Sequence, residues 1–351
     1  MLKRNPSNPL IKPAMLKSSH SGFRVKGVFN PGATSYKGKI ILLLRIAEDC
    51  TTKEGYISVP YYRFERDKGI ARILEIPIND PDLSLKDTRG IVYRGIDYLS
   101  TISHIRLASS DDGTNFSFKD KPFLYPCNQG ESFGVEDARV TKIEDIYYIT
   151  YTAVSADGWA TSLATTKDFI TVQRKGFIFP PPNKDVSIFP EKISGKYYAL
   201  HRPHNQGFGK PSIWLSESED LIHWGNHRCI LRPREMFWEE EKIGGGAAPI
   251  KTAEGWLEIY HSKGRDQIYS LFLVLLDLEN PAKVLKRGKK PILYPQAPYE
   301  KKGFFPNIVF SNGLIVKQGQ RILLYYGCCD ENVCLAETTI EELLDTLKAE
   351  E

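Results

Sequence analysis

Five short runs of apolar, β-branched and aromatic residues recur along the chain: Lys37–Ile46, Asp145–Val154, Gly195–Pro203, Gly255–Ser262 and Gln320–Cys328. Most begin just after a glycine or a charged turn, the mark of a hairpin. Each has a downstream companion richer in small and hydroxyl side chains: Ser103–Phe118, Ala160–Val172, Ser212–Trp224, Tyr269–Pro281 and Asn332–Leu344. In the first three companions a strand leads to Ser or Thr, then an acidic turn, then an aromatic that opens the next strand. Run and companion recur in the same order five times, at a spacing of roughly 50–65 residues. That pattern predicts an all-β fold, a five-bladed β-propeller, in preference to a β-sandwich. The runs are read as inner strands lining a central channel. Residues 1–351 form one such domain on this reading, with an insertion at about 47–102 between the first run and its companion. One short helix is expected, at the C-terminus: Ile340, Leu343, Leu344 and Leu347 share a helical face, and Thr338 and Glu341 have capping-box spacing.

Composition narrows the function classes. The 47 Lys+Arg nearly balance 43 Asp+Glu, for a net charge of +4. A dedicated nucleic-acid binder usually shows a strongly basic face, so nucleic acid is not an expected partner. No apolar run approaches the ~20 residues that span a bilayer, and Met1–Leu10 is polar and broken by Pro6 and Pro9. Neither a membrane nor a secretory signal is expected. The six cysteines form no CxxC pair and read as reduced thiols. The expected location is the cytoplasm. Oligomeric state is not readable, which leaves a homo-oligomer open.

Familiar site motifs fail on inspection. Gly32–Lys39 has one residue too many for a phosphate loop and leads into a strand. Gly244-Gly245-Gly246 also precedes a strand. His201 and His204 flank Arg202 and Pro203, a poor zinc site. There is no Gly-x-Ser-x-Gly elbow. No metal or organic cofactor is implied.

The unusual chemistry lies in Glu131–Val140, where Glu131, Glu136, Asp137 and Arg139 enter an apolar strand. Similar polar groups stand at related places elsewhere. Arg45 and Glu48 end the first run, and His201 and Arg202 end the third. Asp185 and Lys192 precede the third, and Lys251 the fourth. Tyr260 and His261 end the fourth, and Asp330 follows the fifth. Converging on a channel, they would suit a polyhydroxyl, partly anionic set of ligands.

Taken together, Phe29–Ala33 (FNPGA), Leu42–Asp49 (LLLRIAED), SHIRLASSDDGTNF from Ser103, GVEDARV from Gly134, SIFPEKISGKYYALHRPH from Ser187, GGGAAPIKTAEGWLEIYHS from Gly244 and the Tyr-Tyr-Gly…Asp ending resemble glycoside hydrolase family 130. The resemblance runs from about residue 8 to 345 and implies a five-bladed propeller. It also implies inverting action on β-mannosides, in most members by phosphorolysis to α-mannose 1-phosphate. Val28–Ala33 and Tyr98–Ser110 resemble the members that act on β-1,2 linkages. A β-mannoside oligosaccharide and inorganic phosphate are thus the expected partners, with phosphate as co-substrate.

By that resemblance Asp137 is the acid, passing its proton through the mannose 3-hydroxyl to the glycosidic oxygen while phosphate attacks the opposite face. Departure of an alkoxide requires a protonated carboxyl, so Asp137 is expected to be kept neutral by burial or by Glu136. Asn30, Arg45, Glu136, Asp185, Tyr260 and Asp330 are expected against the sugar. Arg45, Arg139, Lys192, Arg202, Lys251 and His261 are the candidate phosphate cations. Ser262 replaces a glycine frequent in the family. Gly158–Thr161 lacks an Arg that helps many members bind phosphate. That gap keeps an inverting β-1,2-mannosidase as an alternative, with Glu131, Glu191 or Glu239 as its base. A non-catalytic glycan-binding propeller is a third reading. Tyr56, Tyr61 and Tyr62 in the insertion are candidates to close over the acceptor sugar.

Overall fold

The structure, a computed structural model, describes residues 2–66, 68–87, 90–204 and 207–349. Residues 67, 88 and 89 of the expected insertion lie outside the described residues. Nearly all regular structure is β. It is organised as five antiparallel meanders, here called units.

The first unit holds strands Phe23–Tyr36, Lys39–Cys50, Ile102–Ser110 and the short Ser117–Phe118. The second holds Gly134–Ile143, Ile146–Ser155, Gly158–Thr166 and Gln173–Phe179. The third holds Asn183–Ile188, Tyr197–Pro203, Ile213–Ser218 and Gly225–Leu231. In the fourth, the split first strand (Lys242–Gly244 and Ile250–Lys251) precedes Trp256–Lys263, Tyr269–Leu276 and Val284–Arg287. The fifth holds Val309–Val316, Arg321–Cys328 and Asn332–Thr339, and takes its fourth strand, Lys3–Arg4, from the other end of the chain.

The five apolar runs are therefore the second strand of each unit, not the first. Their near-continuous hydrophobicity follows from burial on both faces. In the first unit Ile40, Leu42, Leu44 and Ile46 pack against the fifth unit, while Ile41 and Leu43 pack against the second. Further cores join the second and third, third and fourth, and fourth and fifth units. The expected turns after the first three companions also form. Ser110 and Asp112, Thr166 and Asp168, and Ser218 and Asp220 accept the turn's backbone N–H groups through their side-chain oxygens.

Three units share an internal lock. A fully buried glutamate ahead of the first strand accepts hydrogen bonds from a tyrosine of the second strand and an arginine of the fourth. The sets are Glu131–Tyr151–Arg174, Glu239–Tyr260–Arg287 and Glu300–Tyr326–Arg4. The last ties the N-terminal strand to the fifth unit.

The C-terminal helix spans Ile340–Ala349 and buries Ile340, Leu343, Leu344 and Leu347 between the fourth and fifth units. Its cap lies one residue later than the spacing suggests: Thr339 Oγ1 accepts the Glu342 N–H, and Thr338 donates its hydroxyl to the Glu342 carboxylate. The second strand of the first unit runs on to Cys50 before the inserted sheets start. These are a hairpin, Tyr56–Glu65 with Lys68–Pro77, and a three-stranded sheet, Leu83–Asp87, Gly90–Tyr93 and Ile96–Leu99. Among the described residues no helix is long and apolar enough to cross a membrane.

Candidate active site

A cavity of about 210 Å³ opens where the first strands begin and the second strands end. It is small beside the roughly 300–1,000 Å³ of drug-sized sites, and its walls are mostly polar, which suits a compact polar ligand.

The first strands reach it by breaking register. The ladders shift between Phe29 and Gly32, Glu136 and Arg139, and Lys184 and Ser187. Inside those bulges sit Asn30, Asp137 and Asp185, with φ of 46°, 50° and 59°. The left-handed region costs a non-glycine residue on the order of 1–3 kcal/mol, least for Asn and Asp. The bulge turns a polar side chain out of the sheet and into the cavity.

One end of the cavity is built on Asp137. Its carboxylate accepts hydrogen bonds from Arg45 at 3.0 Å and Asn30 at 3.1 Å. Arg45 also donates to Glu136 at 2.7 Å and lies over the Phe29 ring. Burial alone would raise the Asp137 pKa, but Arg45, Lys184 and Arg139 together hold it below the ordinary carboxylate range. This corrects the expectation of a neutral Asp137: its neighbours favour the ionised form, and Glu136 faces Arg45 rather than raising Asp137. Asp330 completes this end. Burial, with Asp137 and Glu136 nearby, pushes its pKa up to about 6.

The other end carries the basic groups. Lys184, Arg202, Lys242 and His261 line it. Arg202 donates to Asp185 at 2.5 Å, and Arg139 reaches Asp185 from behind the wall at 3.1 Å. His261 Nε2 lies 3.4 Å from the same carboxylate. Burial favours neutral Asp185, but Arg202, His261 and Arg139 outweigh it and keep its pKa well below normal. Burial pushes His261 down to about 4. Arg139 also donates to the carbonyls of Gly245 and Gly246, at 2.9 and 2.6 Å. A Cβ on Gly244 would stand 2.6 Å from both Asp185 and His261, so the glycine run lets backbone pass close to these groups. Tyr269, Phe305, Ile308 and Phe310 form the apolar part of the lining.

Of the residues singled out from sequence, Asn30, Arg45, Asp137, Asp185, Arg202, His261 and Asp330 line the cavity, with Glu136 and Arg139 bonded to its walls. Lys192 and Lys251 do not reach it. Both precede second strands, whose starts lie opposite the cavity. Lys192 is exposed over Tyr197, and Lys251 pairs with Glu191 on the surface. Tyr260 faces away because strand side chains alternate; it points into the lock with Glu239. Glu131 and Glu239 belong to locks and Glu191 to that surface pair, so none is poised as a base for bound water. Tyr62 is buried on Tyr125, Tyr61 packs on Tyr98, Tyr56 meets Lys53, and none lines the cavity. Sequence reasoning gave no role to Lys184, Lys242 or Tyr269. The signal available was positional, since Lys184 and Lys242 both open first strands.

Comparisons with known proteins agree with this geometry. The sequence profile of glycoside hydrolase family 130, described as β-1,4-mannooligosaccharide phosphorylase, matches residues 89–349. A β-1,2-mannobiose phosphorylase from Listeria innocua is 44% identical over 99% of this chain and 98% of its own. A 1,2-β-oligomannan phosphorylase from Thermoanaerobacter is 42% identical over 72% of this chain and 86% of its own. The solved structure of β-1,2-mannobiose phosphorylase from Listeria innocua, in complex with β-1,2-mannobiose, superimposes with a TM-score of 0.94 at 43% identity, covering 99% of both chains.

Proposed function

Because the chain belongs to glycoside hydrolase family 130, we propose that it cleaves β-1,2-linked mannosides by inverting phosphorolysis, releasing α-mannose 1-phosphate. One observation carries this reading: a single cavity holds the Asp137 carboxyl at one end and a cluster of Lys184, Arg202, Lys242 and His261 at the other. Phosphate is already a competent nucleophile. It needs cations to hold it in line with the anomeric carbon, not a second carboxylate to activate water.

Asp137 protonates the departing oxygen through the mannose 3-hydroxyl. It starts ionised beside Arg45, so it must gain its proton in the ternary complex, where bound phosphate brings negative charge near it. Asn30, Arg45 and Asp330 bind the sugar whose bond is cut. Lys184, Arg202, Lys242 and His261 receive phosphate, and Arg139 and Asp185 hold that wall in place. Two lysines at the cationic end make up for the arginine absent from Gly158–Thr161. The reaction asks for no metal, since protein cations hold the phosphate.

The five units are read as the blades of a propeller in one domain. The cyclic order of their cores, which joins the fifth unit back to the first, supports this. A cytosolic location suits an enzyme whose product keeps the bond energy as a sugar phosphate.

Incubation with β-1,2-mannobiose, with and without inorganic phosphate, tests the function. Mannose 1-phosphate formed only with phosphate is expected. Free mannose in equal amount in both tubes would make the protein a hydrolase.

A further inference from the structure

Two basic groups of the cavity, Lys184 and Lys242, have no ion-paired anion among the described residues, and Lys242 is faced by three other positive groups. Arg202 and Arg139 share Asp185, and Lys263 pairs with Glu241 at 2.7 Å. Among the described residues no carboxylate lies within ion-pair reach of the Lys242 amine, which instead stands 5.0 Å from the centre of the Tyr269 ring. The groups that face it are mostly positive: Lys184 and Arg202 from the third unit and Lys263 from its own unit's second strand. The one anion among them, Asp185, already receives Arg139, Arg202 and His261. An ammonium here would be desolvated and repelled on three sides. Burial first, then Arg202, Lys184 and Lys263, hold the Lys242 pKa well below the usual lysine value. A doubly charged anion placed among these groups reverses the balance, because the ammonium form then gains a partner.

We propose that phosphate and one proton enter this cavity together, the proton being taken up by the amine of Lys242. The inference rests on the reading of phosphate as co-substrate and deepens it. The balance is simple. The dianion HPO4²⁻ and the neutral amine take one H⁺ from solvent and become a dianion–ammonium pair. If H2PO4⁻ enters instead, its own proton passes to the amine and solvent supplies none. An empty cavity thus avoids crowding a further full charge against Arg202 and Lys184. As the sugar phosphate leaves, the amine returns its proton. In mildly alkaline solution, where free phosphate is the dianion, the apparent dissociation constant of phosphate should rise up to about tenfold per pH unit, as expected when one proton is bound with the ligand.

Calorimetric titration of the whole protein with inorganic phosphate, without mannoside, tests this. It is run at one mildly alkaline pH in two buffers of different ionisation enthalpy. The expected result is a difference in heat that corresponds to about one proton taken up per phosphate bound. Lys242→Arg, whose guanidinium stays charged in the empty cavity, should bind phosphate with no such difference, and Lys242→Gln should bind more weakly, also without it. Equal heats in both buffers for the unmodified protein would overturn proton uptake while leaving phosphate as co-substrate. Undiminished uptake by either variant would remove Lys242 from the role. No phosphate binding by the unmodified protein, by calorimetry or by any effect of phosphate on turnover, would overturn the co-substrate reading and this inference with it.

Discussion

Arg45 and Asp137 lie 3.0 Å apart at one end of the cavity, and that pairing favours the ionised form of the proposed acid. The guanidinium is partly exposed and is held between Asp137, Glu136 and the Phe29 ring. Proton transfer from Asp137 is therefore conditional. It waits for a ligand that draws Arg45 away or adds negative charge nearby.

Asp137→Asn removes the transferable proton and keeps the shape. Positioned acids contribute roughly 10²–10⁴-fold to rate, so kcat should fall by at least about 10², with Arg45 still paired to Glu136. Steady-state kinetics on β-1,2-mannobiose in saturating phosphate reads this, and near-normal turnover would remove Asp137 from the role of acid.

Arg45→Gln takes away the charge that lowers Asp137. Burial then dominates and the Asp137 pKa rises. The protonated form persists to higher pH, and the limb of the kcat/KM profile that Asp137 sets moves upward. The loss of sugar contacts lowers kcat/KM overall, by roughly ten- to a hundredfold for charged hydrogen bonds. An unmoved limb would mean that Asp137 does not set it.

The cations should separate cleanly. Lys184→Ala is expected to raise the KM for phosphate about tenfold or more. Lys192→Ala and Lys251→Ala, on the surface opposite the cavity, should leave it within about twofold, as for exposed ion pairs. Equal effects from all three would contradict the placement of the phosphate end.

Glu258 provides a pH test of stability. It is 1% exposed, and its carboxyl accepts the Gly246 N–H at 2.7 Å behind the wall that holds Arg139. Burial pushes its pKa up to about 8. Between the unfolded carboxyl's range and that value the folded chain binds more protons than the unfolded chain, so stability falls as pH rises through this window. Glu258→Gln cannot ionise. It should gain on the unmodified protein by up to about 1.4 kcal/mol per pH unit across the window, read from denaturant melts at acid and mildly alkaline pH. Parallel pH profiles for the two proteins would show that Glu258 does not titrate there.

The lock of the fifth unit should matter for stability alone. Glu300→Gln breaks a buried carboxylate's pairing with Arg4 and Tyr326, and removal of one partner from such a set costs about 3–5 kcal/mol. A melting temperature several degrees lower, with unchanged KM for phosphate and mannobiose, is the expected pair of results. An altered KM with normal stability would assign Glu300 a role in the site.

The sequence made the second strands plain, since burial on both faces leaves an unbroken apolar run such as Ile40–Ile46. It also made the Ser/Thr–Asp turns plain, because their hydrogen bonds are local. The first strands were hidden. They are bulged, rich in glycine and polar side chains, and they carry Asn30, Asp137, Lys184, Asp185 and Lys242. No periodicity survives the breaks at Phe29–Gly32 and Glu136–Arg139. Asp137 stands out in the sequence as a charge entering an apolar strand, and its role as acid, like the place of Asn30, comes from family resemblance; Lys192 and Lys251 stand out only by nearness to an apolar run, and Tyr260 by that and by resemblance. Their fate turned on which strand end and which face the chain presents, and a strand pattern alone does not encode the first of these. Glu131 and Glu239 looked available for catalysis because most of the groups that hold them, Tyr151, Arg174, Tyr260 and Arg287, lie 20 or more residues away in sequence, and only Arg234 is near, five residues before Glu239.

Proton NMR of a reaction with β-1,2-mannobiose in phosphate, followed from its first minutes, tests the central claim most directly. The account predicts α-mannose 1-phosphate as the first-formed product, appearing in step with free mannose and with loss of phosphate. First-formed β-mannose 1-phosphate would contradict inversion, and two mannose molecules per disaccharide with phosphate untouched would contradict phosphorolysis.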